Sequence, residues 1–209
     1  MSSDSLSNSR TRILDAAKPL FVARGYTALS MRELGAAVGV SKAAIYYHFR
    51  DKEALFCALV EQSIAQLETL ILAAQRAGPD ARRVVRQIVH DILALPMEER
   101  AMIRVAMQEM GHMSEDARRE FLAQYNTRFL GQLHRVFAQG MEADHFRTLV
   151  PETATWTLLG MMYPHFYATG HAPMRATGDE QIDAMLTIFF DGICLPPAAT
   201  DVASEFTDF

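Results

Sequence analysis

A chain of 209 residues that is 50% apolar, 22% charged and close to neutral at −5 can bury a sizeable core in one or two domains, which excludes a disordered polymer. No uninterrupted apolar run reaches the roughly 18 residues of a membrane span and no basic-then-apolar leader opens the chain, so a soluble, cytoplasmic protein away from membranes is expected. Cys57 and Cys194 are too few for a disulfide framework or a thiolate metal centre, which suits a reducing compartment.

The charge is unevenly placed. Residues 1–55 carry eight Lys or Arg against five Asp or Glu, and the remaining 154 carry twelve against twenty. A basic head on an acidic body predicts that only the head meets a polyanion.

In chain order, residues 1–8 are Ser-rich and nearly free of apolar side chains, and are predicted to form a flexible lead-in. From Arg10 the spacing of Ile13, Leu14, Ala17, Phe21 and Val22 predicts a helix that Gly25 stops and Pro19 kinks. Ser30 and Glu33 form a capping box for a short helix reaching Val38. Gly39 supplies a turn, Ser41 caps a second short helix from Lys42 to Tyr47, and Asp51 caps a longer one over 52–74. Helices are further predicted over 80–94, 98–112, 115–140 (interrupted near Gly131), 151–170 and 179–194, with a loose acidic tail over 196–209. Nothing alternates with period two. The expected fold is all-α with about nine helices: a three-helix helix-turn-helix domain over 9–55, joined by the helix from residue 52 to a larger body over 56–195.

Within the head, Met31, Leu34, Val38, Val40 and Ile45 can pack the two short helices on the first helix and on Phe49. That leaves Lys42, Ala43, Ala44, Tyr46, Tyr47 and His48 facing outward. Small Ala43 and Ala44 let the backbone approach base edges and offer methyls to thymine. Lys42, Tyr47, His48 and Lys52 supply cations and donors for phosphate oxygens, and the helix starts after Ser30 and Ser41 add backbone N–H groups.

The segment from Gly25 to Leu34, followed by Gly39-Val40-Ser41-Lys42-Ala43-Ala44-Ile45-Tyr46-Tyr47-His48-Phe49-Arg50-Asp51-Lys52-Glu53-Ala54-Leu55, resembles the DNA-binding domain of TetR-family regulators over residues 10–58. The resemblance implies that the helix starting at Ser41 enters the major groove, with Lys42, Ala43, Ala44 and Tyr46 toward the bases. Tyr47, His48 and Lys52 would meet phosphates and Phe49 would lock the domain core. Leu29 stands where the family often has threonine, so Thr27 and Ser30 are the hydroxyls expected near the backbone of DNA; Ala43 stands where glycine is frequent. A ligand-responsive repressor is implied, released from DNA by a small, apolar molecule. An activator, or a regulator controlled by a protein partner, is the alternative.

A head with so few cations neutralises few phosphates, so specific binding calls for two heads one DNA turn apart and a homodimer on a near-palindromic double-stranded operator. In the body, Trp156, Leu158, Leu159, Met161, Met162, Tyr163, Phe166 and Tyr167 wrap nearly all round their helix, and Ile182, Met185, Leu186, Phe189, Phe190 and Ile193 do the same on the last. Helices apolar on every side are buried on every side, in a single-chain core or against a copy. The resemblance implies the second, with Leu159, Met162, Tyr163, Tyr167, Ile182, Met185, Phe189 and Ile193 at the dimer interface.

Met107 and Met110 suit an adaptable cavity as well as an ordinary core. Together with Phe121, Tyr125, Phe129, Trp156 and Phe166 they predict an apolar effector pocket, with His134 and His165 as polar anchors. Pro164 should kink its helix.

Enzyme chemistry has no foothold. There is no Gly-rich phosphate loop, no nucleophile elbow and no histidine pair four apart on a helix. The neighbours Asp144-His145 and His90-Asp91 point ~100° apart on any helix. Neither cofactor nor metal is expected.

Overall fold

Short side chains that return to the backbone begin most of the helices. Ser30, Ser41, Asp51, Asp80 and Ser114 each accept a hydrogen bond from a backbone N–H of the turn they open. The computed structural model describes residues 3–166 and 178–194, as backbone only for 3–8 and Lys42. The elements are α1 (Ser3–Arg24), α2 (Met31–Val38), α3 (Lys42–His48), α4 (Lys52–Arg76), α5 (Ala81–Ala94), α6 (Met97–Glu109), α7 (Glu115–Gln124), α8 (Gly131–Glu142), α9 (Pro151–Met162) and α10 (Asp179–Ile193). A π-helical stretch, Tyr125–Leu130, fuses α7 and α8 into one long helix. Among the described residues that makes nine helices and no strand.

Several expectations need correction. α1 begins at Ser3, so residues 3–8 are helical; serine and an early Asp4 are common where a helix starts, as well as in loose segments. The interruption near Gly131 is the π stretch, closed by the Gly131 N–H donating to the Asn126 carbonyl. The helix expected over 151–170 ends at Met162 and tightens into a 3₁₀ turn, Tyr163–Phe166, where Pro164 has no N–H to continue the ladder. Residues 167–170, and the tail over 196–209, lie outside the described residues.

Helix α4 is the axis of the molecule. Leu55, Phe56, Leu59, Val60, Ile64, Leu67 and Ile71 are buried along it, under α1, α5, α6 and α7. By length and composition α4 could cross a membrane, although Glu61, Gln62 and Gln66 break its apolar runs. Here it is a core helix shared by head and body.

A second cluster closes the far end of the body. Phe146 stacks on Phe190 with rings 7° apart, and Phe137 packs against both Phe146 and Phe189. Gly140 makes room for it: a Cβ there would lie 2.4 Å from the Phe146 ring and 2.7 Å from Ala81 Cβ.

Candidate nucleic-acid interface and ligand cavity

The head is built by local bonds. Ser30 and Glu33 close the predicted capping box, with the Ser30 N–H donating to Glu33 Oε2 and the Glu33 N–H donating to Ser30 Oγ. Gly39 ends α2 in the left-handed region at φ 74, the conformation that favours glycine in a tight turn. Leu34, Ile45 and Phe49 are buried, so α3 is fixed by its inner face.

Its outer face carries the expected residues, in different states. Tyr47 is 70% exposed and Tyr46 is exposed beside it, with Ala43 on the same open surface. Thr27 is exposed in the loop before α2. The hydroxyls of Ser30 and Ser41 are engaged as helix caps, Ser41 accepting from the Ala44 N–H at 3.1 Å. His48 sits 3.1 Å from Ser9 Oγ on α1, half-buried. The side chain of Lys42 lies outside the described residues.

Lys52 differs most from its sequence assignment. Its ammonium donates to the carbonyls of Tyr26 and Leu29, both at 2.8 Å, and rests 4.2 Å from the Tyr26 ring centre. Burial lowers its pKa. The geometry makes Lys52 a tie between the start of α4 and the α1–α2 loop.

The body holds a half-open cavity of about 400 Å³, a size typical of small-molecule sites. Five predicted pocket residues line it: Met107, Tyr125, Phe129, Trp156 and Phe166. The π stretch brings Tyr125 and Phe129 together, ring centres 5.3 Å apart, and burial pushes the Tyr125 phenol up to about 12. Four others are elsewhere. Phe121 lines a separate cleft of about 240 Å³ against α4. Met110 packs on the core. His134 faces Glu152 at 3.9 Å on the α8–α9 side. The His165 ring is buried outside the lining, where desolvation and the Arg100 charge lower its pKa.

Sequence reading missed the cavity's polar wall. Glu99, Arg100, Arg104 and Gln108 line it from α6. Arg100 donates to the His165 carbonyl at 3.2 Å, and Arg104 to the Phe166 carbonyl and to Gln108 Oε1. Glu99, on the same wall, receives Lys18 of α1 at 2.6 and 2.8 Å. In sequence these residues look like the solvated stripe of an amphipathic helix. What betrays them is that α6 lies between α1 and α4, a tertiary fact.

The expected interface residues divide as well. Met162, Ile182, Phe189 and Ile193 are buried within the single chain, because α9 and α10 turn one face onto α8 and α5. Leu159 and Met185 are half-buried and Tyr163 is exposed; Tyr167 lies outside the described residues. The outward faces carry Thr153, Trp156, Thr157 and Gly160 on α9, and Ala184, Thr187 and Ile188 on α10. Trp156 at 54% and Ile188 at 69% are large apolar side chains left open by one chain. Among the described residues no group of three His, Cys, Asp or Glu is placed to hold a metal.

A helix-turn-helix head on a helical body with a half-open apolar cavity is the architecture of a DNA-binding transcriptional regulator. The chain belongs to the TetR family: residues 13–59 match the bacterial regulatory proteins of the tetR family, and residues 78–188 match the tetracyclin repressor-like C-terminal domain. The HTH-type transcriptional repressor Rv1474c of Mycobacterium tuberculosis is 38% identical over 96 residues, a match spanning 46% of either chain. The repressor KstR2 of Rhodococcus jostii is 23% identical over 91% of this chain and 93% of its own. Among solved structures, PfmR from Thermus thermophilus superposes with TM-score 0.69 at 26% identity, covering 86% of this chain and 97% of that one. AibR in complex with isovaleryl coenzyme A and operator DNA gives 0.73 at 22%, covering 87% and 98%. Regulators of this family are generally not enzymes.

Proposed function

We propose that the protein is a ligand-responsive transcriptional repressor acting in the cytoplasm as a homodimer. Its two α3 helices enter successive major grooves of a near-palindromic operator, Ala43 and Tyr46 toward the bases and Tyr47 toward phosphate. The exposed faces of α9 and α10, with Trp156 and Ile188, meet a second copy. A small molecule filling the body cavity favours a spacing of the heads that does not fit DNA, and so releases it.

One observation carries the reading. Helix α6 lines the cavity with Arg100, Ile103, Arg104 and Met107 and, through Glu99, grips Lys18 of the DNA-binding head. Whatever moves α6 moves α1. The relatives named as repressors support the direction of control, and AibR, a protein of similar fold solved in complex with isovaleryl coenzyme A and operator DNA, supports a small-molecule effector.

The test is fluorescence anisotropy on DNA fragments flanking the protein's own gene. Two chains per duplex are expected, with a steep loss of affinity on raising salt. A single chain in solution that ignores every such duplex would overturn the reading.

A further inference from the structure

We propose that the body cavity receives an amphiphilic anion, an apolar chain ending in a carboxylate or a phosphate, with Arg100 as the residue that takes the acid group. This rests on the effector reading above and gives that effector a chemical class.

Most of the wall is apolar: Ile103, Tyr125, Phe129 and Leu159 would suit a hydrocarbon guest. A neutral hydrocarbon has no use for guanidinium groups, yet α6 places Arg100 and Arg104 on the lining one helical turn apart. They do so in a body where acidic residues outnumber basic ones by twenty to twelve.

Arg100 is the less satisfied. It makes one bond to a neutral carbonyl, that of His165, and its Nε is buried with no hydrogen-bond partner. Among the described residues no carboxylate comes within ion-pair reach of it, and burial alone lowers its pKa. The neighbouring carboxylate, Glu99, is already neutralised by Lys18. A planar guanidinium with donors to spare matches the two oxygens of a carboxylate or phosphate. Arg104, oriented by the Phe166 carbonyl and Gln108, adds a second positive charge to the same wall. The cavity is therefore cationic at α6 and apolar elsewhere, the complement of an acid with an alkyl or ring body.

Calorimetric titration of the protein with decanoate, decyl phosphate and decanol tests this, with Trp156, the single tryptophan, reporting occupancy by its emission. At least one of the two anions should bind about 10-fold or more tightly than decanol, the span of a hydrogen bond to a charged group. Preference for decanoate marks a carboxylate as the head; preference for decyl phosphate marks a phosphate. In Arg100→Met that advantage should disappear while decanol binding persists, which also shows the variant folded, and Arg100→Lys should restore part of it. Equal binding of all three, or an unchanged advantage in Arg100→Met, overturns the proposal and leaves the effector pocket standing. Binding of none of them, while a neutral apolar compound releases DNA, overturns it too. Failure of every acidic and neutral compound to release DNA would instead count against the effector reading itself.

Discussion

Lys18 and Glu99, 81 residues apart in sequence, form a bidentate ion pair at 2.6 and 2.8 Å that joins the first helix of the DNA-binding head to the helix lining the body cavity. Lys18 is only 2% exposed. Removing one partner leaves the other charge in a poorly hydrated site, whereas replacing both with apolar residues need not destabilise. Lys18→Met should therefore lower stability by about 3 kcal/mol, and the double variant Lys18→Met, Glu99→Leu should recover much of that in urea unfolding. The double variant should still bind operator DNA, but an effector should release it at least about 5-fold less efficiently, the lower end of ordinary allosteric coupling. Unchanged release with normal ligand binding would show that the signal takes another path.

Sequence alone puts both Tyr47 and Lys52 at phosphates, and the structure separates them. Lys52 holds the Tyr26 and Leu29 carbonyls, so Lys52→Met should cost about 1–3 kcal/mol of stability and weaken DNA binding as a consequence. Tyr47 projects from the surface, so Tyr47→Phe should leave the melting temperature alone and reduce operator affinity about 5-fold through one lost hydrogen bond. Because no charge is removed, its salt slope should match that of the unmodified protein. Melting curves and anisotropy on the two variants distinguish the roles.

The head is legible in the sequence because its determinants lie close together. Ser30 reaches Glu33, Ser41 reaches Ala44 and Asp51 reaches Ala54, each three residues on, and Gly39 needs only its own backbone freedom. The body is legible as helices and much less as surfaces. Ile182, Phe189 and Ile193 announce burial without saying whether the cover is the same chain or a copy; α5 and α8 supply it here. Lys52 misleads because its partners lie 26 and 23 residues earlier, and Arg100 because its surroundings come from the turn after α9. Local chemistry fixes caps and periodicity, while the destination of a long charged side chain depends on which helices the fold brings alongside.

Gly140 tests the packing at the far end of the body. An added methyl would meet the buried, stacked ring of Phe146 on one side and Ala81 on the other, and neither can retreat freely. Gly140→Ala should destabilise by about 1–3 kcal/mol through overpacking, despite the better helix propensity of alanine. Thermal unfolding should register the loss. A rise in melting temperature would mean that the cluster of Phe137, Phe146 and Phe190 yields more easily than its burial suggests.

Glu33 links the helix-turn-helix to pH. The Ser30 hydroxyl donates to its carboxylate at 2.7 Å, Arg24 donates at 2.9 Å and the Ser30 N–H adds a third bond, and together they hold the carboxyl at about 2 instead of 4.5. A carboxyl whose pKa is lower folded than unfolded adds stability above its unfolded value, and that stability is lost as pH falls from about 4.5 toward 2. Glu33→Gln keeps a side chain able to complete the capping box but removes the charge. The variant should thus melt below the unmodified protein at neutral pH, and the gap should narrow steadily as the pH is lowered through 4. A gap constant down to pH 3 would assign the stabilisation to the shape of the cap and not to its ionisation.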